Sequence, residues 1–385
     1  MMAPTDNPPK ALAISYWNLN RVDSGGLRRI KALLEALGRD CAVVQPSPAH
    51  PHYRTYAFAL DLGRRKLGIN WGMFNFCWPL NARKVHRAIE QEQPQCLVLT
   101  SIWAFIPLKR YQGRIPMVLD THDVNAVAIA ERFGTRHPFT RLVTSWERRC
   151  VQAMDHICTC SEQDARNLCA QYGLPPERVT TVPNGVDLAR FGAGSNPGPL
   201  PEGLREWTAG GVTLLFMGKL DYQPNREALA FLRDRVLPEL EQAAPHRFRF
   251  VVTGGPVPTE PFPAAFRFVG RLPEHQLLGC LAHADLCLAP IMTGSGTRLK
   301  ILEYMAAEKP VLSTPKGAEG IDCRAGEHLW IAEPEDFART ILEASIHPDA
   351  APAMAARARA LVASRYDWDS VLKPIWREVL RKSVS

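Results

Sequence analysis

Short apolar runs bounded by turn residues alternate with amphipathic stretches of helical period along almost the whole chain. Parallel strands read as such runs, because the connecting helices cover both faces of the sheet. A first series reads as strand 11–17, helix 27–38, strand 41–45, helices within 54–92, and strands 96–101 and 117–120. It continues with a long helix near 139–154, strand 156–160, a helix starting at Ser161 and strand 179–183. A second series reads as strand 212–218, helix 225–236, strands 248–253 and 266–269, helix 273–283, strand 285–289, helix 297–307 and strands 310–314 and 329–332. Helices 335–345, 351–364 and 368–382 close the chain. Repeated βα units predict an α/β fold of two doubly wound, mostly parallel sheets, and a length of 385 residues suits two domains. The Gly/Pro/Ser stretch 192–201 separates the two series. The expected organisation is a domain 1–190, a linker 191–205, a second domain 206–366 and a C-terminal helix 367–385 that returns to the first domain. Ligands of such sheets bind outside the carboxyl ends of the strands, so a cleft between the two domains is expected.

Composition narrows the class. With 46% hydrophobic and 22% charged residues the chain reads as a soluble globular protein. No apolar run nears the roughly 20 residues that cross a bilayer. The opening residues are polar, with Pro4, Pro8 and Pro9 and no apolar signal core, so the expected location is the cytoplasm. The ten cysteines include no Cys-x-x-Cys pair. Cys158 and Cys160 would share one strand face as buried, reduced thiols. The net charge of +7 sits wholly within residues 1–190. A basic half attracts an anionic membrane surface or a phosphorylated acceptor, although scattered solvated charge accounts for it as well. Nothing points to nucleic acid.

Four segments carry chemistry, several of them on loops just after an expected strand. The strongest runs from Gly294 through Ser295, Gly296, Thr297, Arg298 and Lys300 to Glu303. Glycines let a backbone approach a ligand closely, and the first amides of the following helix face an anion. Arg298 and Lys300 add positive charge for phosphate oxygens, and Glu303 can accept hydrogen bonds from two adjacent hydroxyls, as a ribose offers. The second is Gly218-Lys219-Leu220-Asp221, where Lys219 presents a point charge. The third is Asp120-Thr121-His122-Asp123, where His122 can bond a sugar hydroxyl or move a proton. The fourth is Ser24-Gly25-Gly26, a backbone-approach loop before helix 27–38.

With Val182-Pro183-Asn184-Gly185-Val186-Asp187, Phe268-Val269-Gly270, Ala284-Asp285 and Lys309-Pro310-Val311, these segments resemble family-four retaining glycosyltransferases of the GT-B fold, of the bacterial sugar transferase type. The resemblance spans most of the chain and is most specific over 179–345. It implies two Rossmann-like domains facing across a cleft, and transfer from a UDP- or GDP-sugar to a saccharide, lipid-linked or other hydroxyl acceptor. It implies retention of configuration, no metal and no cofactor, the nucleotide-sugar being a substrate. Lys219, Arg298 and Lys300 would face the donor diphosphate, Glu303 the ribose and His122 the transferred sugar. Gly25, Gly26, Ser295, Gly296 and Thr297 would complete the donor site. In two places the chain departs from the pattern. Ser295 stands where many members carry the first glutamate of Glu-x7-Glu, and Arg298 stands where a typical member has glycine.

Other signals are set aside. Asp367-Trp368-Asp369 reads as a helix cap rather than a metal ligand pair. Arg64-Arg65-Lys66 precedes the aromatic stretch Trp71–Trp78, which reads as a buried segment ahead of a membrane contact. No Gly-x-Gly-x-x-Gly follows strand 11–17, against a nicotinamide dehydrogenase, and no P-loop appears, against an ATPase. Two alternatives stay open: a catalytically silent nucleotide-sugar-binding partner of another transferase, and a nucleotide-sugar epimerase on the same architecture.

Overall fold

The computed structural model describes residues 10–15, 25–38, 41–44, 79–122, 124–191, 198–294, 297–346 and 349–384. The chain divides into two compact units, Met1–Pro183 with Lys373–Ser385, and Asn184–Leu372. The first boundary thus falls at Pro183, before the expected position 190. The reason is local pairing: the Val186 amide donates to the Tyr366 carbonyl, and the Trp368 amide donates to the Val186 carbonyl. The Asp367 carboxylate accepts from Leu188 N at 3.2 Å and from Ser370 N and Oγ at 2.8 and 2.6 Å, and Trp368 is buried. Residues 184–191 therefore belong to the second unit, and the returning helix starts at Lys373 rather than 367.

In the first unit the elements are β1 (Ala11–Ile14), α1 (Gly25–Leu37), β2 (Ala42–Val44), α2 (Pro79–Glu92), β3 (Cys96–Leu99), β4 (Met117–Asp120), α3 (Asn125–Phe133), α4 (Pro138–Ala153), β5 (His156–Thr159), α5 (Glu162–Tyr172) and β6 (Val179–Thr181). Among the described residues the sheet is parallel in the order β2-β1-β3-β4-β5-β6, with Ile14 beside Val44 and Leu99. Leu12, Ile14, Leu97, Leu99, Leu119 and Ile157 fill one side of it. Ser161 caps α5 through the Asp164 amide at 3.1 Å, as its spacing predicts. Gly25 and Gly26 form the first turn of α1 rather than a loop before it. Ser24, Arg64–Lys66 and Trp71–Trp78 lie outside the described residues.

One buried charge holds several of these elements. Arg29 sits on the inner face of α1 and is fully buried, as is Asp120 at the end of β4. The Arg29 Nε donates to both Asp120 oxygens at 3.0 Å and Nη2 donates to Oδ1 at 2.6 Å. Nη1 donates to the carbonyls of Val182 at 2.5 Å and Pro183 at 3.2 Å. The guanidinium lies 5.5 Å from the ring centroid of Trp376, on the C-terminal helix Lys373–Val384. Helix, strand end, exit segment and returning helix thus meet on a single cation. Burying an ion pair costs desolvation, which only this density of hydrogen bonds offsets.

In the second unit β7 (Val212–Met217), α6 (Gln223–Phe231), β8 (Phe248–Thr253), β9 (Phe266–Gly270), α7 (Glu274–His283), β10 (Leu286–Ala289), α8 (Leu299–Ala306), β11 (Val311–Ser313), β12 (Trp330–Ile331), α9 (Phe337–Ile346) and α10 (Ala350–Arg365) follow one another. The parallel sheet runs β9-β8-β7-β10-β11-β12, the order of doubly wound nucleotide-binding sheets, which reverses between β7 and β10. Helix α6 does not stop at 236 as expected. It passes through a π turn, Leu232–Val236, into Leu237–Ala243. Pro238 reads as a breaker, but the wider turn lies over the carbonyl it cannot bond.

Asp120→Ala is expected to destabilise the first unit by about 3–5 kcal/mol, since it leaves a buried guanidinium unpaired. Adding Arg29→Met should return part of that loss. Urea unfolding followed by tryptophan fluorescence reads both; losses that merely add would refute the pairing.

Candidate functional site

Where strand order reverses, the loops leaving the two neighbouring strands diverge, and their ends stay open to a ligand. In the second unit the segment after β7 carries Lys219, and the segment after β10 carries residues 290–298. Tyr304 of α8 sits behind the divide. The Met217 amide donates to its hydroxyl at 2.8 Å, and the hydroxyl reaches the Leu288 carbonyl at 3.4 Å. A side chain thus bonds the end of β7 where a neighbouring strand would otherwise do so. Ser313 Oγ, at the end of β11, donates to the Ala289 carbonyl at 3.1 Å, and Thr314 Oγ1 donates to the Ile291 carbonyl. Neither Tyr304 nor this Ser-Thr pair stood out in the sequence, where a Tyr inside a helix and two hydroxyls after a strand read as ordinary packing.

The β7 loop is pressed against its neighbour. A Cβ on Gly254, whose φ is +112°, would lie 1.8 Å from the Gly218 carbonyl oxygen. Only glycine allows this approach, and it fixes where Lys219 begins. Lys219 itself is exposed and pairs with Asp221 at 3.6 Å. The buried Asn225 in α6 donates to the Lys219 carbonyl at 2.8 Å and accepts from Lys300 Nζ at 2.8 Å. The Lys300 amine also lies 4.0 Å from the Phe216 ring centroid. The cation thus reaches back under the β7 loop and ties α8 to α6. Burial, then the nearby Arg298 charge, push its pKa down to about 7, against the pull of Glu303.

Arg298 is the residue before α8. Its guanidinium donates to the Gly294 carbonyl at 2.7 Å and to that of Thr293 at 3.3 Å, closing the 293–298 loop on itself. Thr293 in turn donates to the Glu227 carboxylate. Thr297 is buried, with its hydroxyl 3.5 Å from the Gly320 carbonyl. Glu303 is 7% exposed, and its carboxylate lies 3.6 Å from Arg190 Nη1. Ser295 and Gly296 lie outside the described residues. The expected donor residues Thr297, Arg298, Lys300 and Glu303 are therefore one segment around the start of α8, with Lys219 on the adjoining loop.

In the first unit His122 follows β4. Its Nε2 is buried and, among the described residues, has no hydrogen-bond partner. Burial pushes the imidazole down to about 4; Asp120 pulls the other way and Arg29 adds to the push. His122 is thus neutral at physiological pH and offers one donor and one acceptor. The start of α3, just beyond it, is clamped by the fully buried Glu147. That carboxylate accepts from Asn125 N at 2.8 Å, Ala126 N at 3.0 Å and the Tyr172 hydroxyl at 2.6 Å. This helix was not foreseen. Gly25 and Gly26, in the first turn of α1, face the same end of the sheet as the strand ends, since α1 follows β1.

Known proteins place the chain among glycosyltransferase families. The chain matches the family model for Glycosyltransferase Family 4 over residues 25–190 and that for Glycosyl transferases group 1 over 211–346. It is 27% identical over 273 residues to a glycogen synthase of Mycobacterium tuberculosis, a match spanning 67% of this chain and 61% of that protein. It is 27% identical over 291 residues to a D-inositol 3-phosphate glycosyltransferase of Acidothermus cellulolyticus, spanning 68% and 61%. The chain thus covers less than two thirds of these relatives. Among solved structures, HepE of Anabaena in complex with UDP-glucose superposes with a TM-score of 0.69 at 16% identity, over 97% of this chain and 100% of that one. Sucrose-phosphate synthase of Thermosynechococcus elongatus gives 0.70 at 14% identity, over 97% and 98%.

The unfolded chain holds a proton on Lys300 up to about pH 10, whereas the folded chain releases it near 7. The penalty is therefore complete below pH 7 and fades as pH rises toward 10. Lys300→Met should raise the melting temperature by roughly 2–4 °C at pH 6–7, with no gain left near pH 10. A gain that grows with pH would contradict the burial of this charge.

Proposed function

The chain belongs to the family-four glycosyltransferases of the GT-B fold, and we propose that it moves a sugar from a UDP- or GDP-sugar to a hydroxyl acceptor with retention of configuration. The observation that carries this reading is the grouping of Lys219, Arg298 and Lys300 with the buried Glu303 at the β7/β10 reversal. Three cations and the amides at the start of α8 suit a diphosphate, and a carboxylate in α8 suits the ribose hydroxyls. The donor bond from the anomeric carbon to the diphosphate breaks, and the acceptor oxygen bonds the same face of that carbon. The acceptor proton passes to the departing phosphate oxygen. The protein's own contribution is to neutralise the leaving diphosphate and align the reactants, without a metal. His122 serves as a neutral hydrogen-bonding group for the transferred sugar. The acceptor proposed is a saccharide or lipid-linked hydroxyl met in the cytoplasm during polysaccharide or glycolipid assembly. The basic first half supports attraction to an anionic membrane surface. Among the described residues no helix is long and apolar enough to cross a membrane.

A second reading, a silent nucleotide-sugar-binding partner, is favoured by one observation: Ser295 occupies the place of the first glutamate.

A thermal-shift screen of UDP, GDP, ADP and their sugars, with chelator present, should give a rise in melting temperature for a uridine or guanosine diphosphate. Donor turnover should survive the chelator and fall about 10- to 100-fold in Lys219→Ala and Arg298→Ala, as expected for charged groups on a leaving diphosphate. Unchanged turnover in both variants would discard the site. Binding without turnover across a broad donor and acceptor panel would favour the silent partner.

A further inference from the structure

Arg190 lies in the short 3-10 turn Leu188–Phe191, which the Asp367 carboxylate fixes through the Leu188 amide. Its side chain is only 23% exposed and bridges two carboxylates. Nε donates to Glu274 Oε1 at 2.6 Å, and Nη1 lies 3.6 Å from Glu303 Oε1. The guanidinium also rests 5.4 Å from the Phe191 ring centroid. Glu274 opens α7, so the arginine is anchored at one end to a helix start and at the other faces a nearly buried acid in α8.

We propose that Arg190 is a positioning residue for nucleotide recognition: anchored by Glu274, it holds the Glu303 carboxylate oriented to accept the ribose hydroxyls. This rests on the ribose role proposed for Glu303. A guanidinium held beside one carboxylate oxygen fixes the carboxylate's orientation and leaves the other oxygen to accept from a ligand. Lys300 Nζ bonds Asn225 and the Arg298 guanidinium bonds the Gly294 carbonyl, whereas Arg190 Nη1 lies 3.6 Å from the Glu303 carboxylate. Arg190 approaches from a different segment, and its planar fork serves both acids at once.

The test separates ribose recognition from fold and from diphosphate binding. Affinities of UDP and GDP are measured beside those of their 2′,3′-dideoxy analogues by calorimetry. The wild-type protein should prefer the ribonucleotide that it binds by about 10- to 100-fold, the worth of hydrogen bonds to a charged acceptor. Arg190→Ala should cut that preference roughly tenfold while leaving the dideoxy affinity within about twofold. Arg190→Lys should recover part of it, and Glu274→Gln should lose a smaller part. Equal weakening of both nucleotides, or an unchanged ratio, would overturn the role of Arg190 while Glu303→Gln still abolishes the preference. If Glu303→Gln leaves the preference intact, the ribose assignment itself falls.

Discussion

A parallel strand ends in backbone groups that its own connection must carry away, and where strand order reverses the two connections leave in opposite directions. In the second unit this happens between β7 and β10. The register pairs Leu214 with Leu286 and Leu215 with Cys287. Beyond it Tyr304 supplies the bond to Met217. Everything assigned to nucleotide binding hangs on the loops released there. The approach of Gly254 to Gly218 sets the height of the Lys219 loop, and Asn225 holds that loop from below. The first unit has its own reversal, between β1 and β3, and His122 lies two strand positions away at the end of β4.

Three buried ionic arrangements differ in what they do with their charge. Arg29 and Asp120 satisfy one another almost completely, so the pair is structural, binding four segments of the first unit. Glu147 is satisfied by amides and a phenol, and so fixes the start of α3. Lys300 is different. It has an amide oxygen and a ring face, yet burial pushes its pKa down to about 7. Polar groups kept under-compensated in a folded protein are drawn toward functional sites, because their cost is recovered when a ligand arrives.

The fold was legible because parallel strands buried on both faces leave unmistakable apolar runs, and the Ser161 cap and the glycine-rich segment after β10 follow fixed local chemistry. The misses have physical causes. Helix α3 depends on a carboxylate 22 residues away, so its own sequence carries no capping signal at Val124. The boundary was placed at the Gly/Pro/Ser stretch, but the bridge between Val186 and Asp367 draws residues 184–191 into the second unit. Gly25 and Gly26 read as a backbone-approach loop, yet the first turn of a helix tolerates glycine and they open α1. For the site, residue type and strand-end position identified the segment but not the direction each side chain takes. Lys300 turned inward and Arg298 folded onto its own loop are tertiary outcomes. So is Arg190, which reads in sequence as a surface residue before a phenylalanine.

Around Lys300 the charges of Arg298 and Glu303 oppose one another, and Glu303 also answers to Arg190. Burial, and then Arg298, win over Glu303 and push the Lys300 pKa down to about 7. On the proposed reading, an arriving diphosphate supplies the missing counter-charge and restores the proton to the amine. The leaving group itself would complete the charge balance of the site, and that balance would be lost again as the nucleoside diphosphate departs.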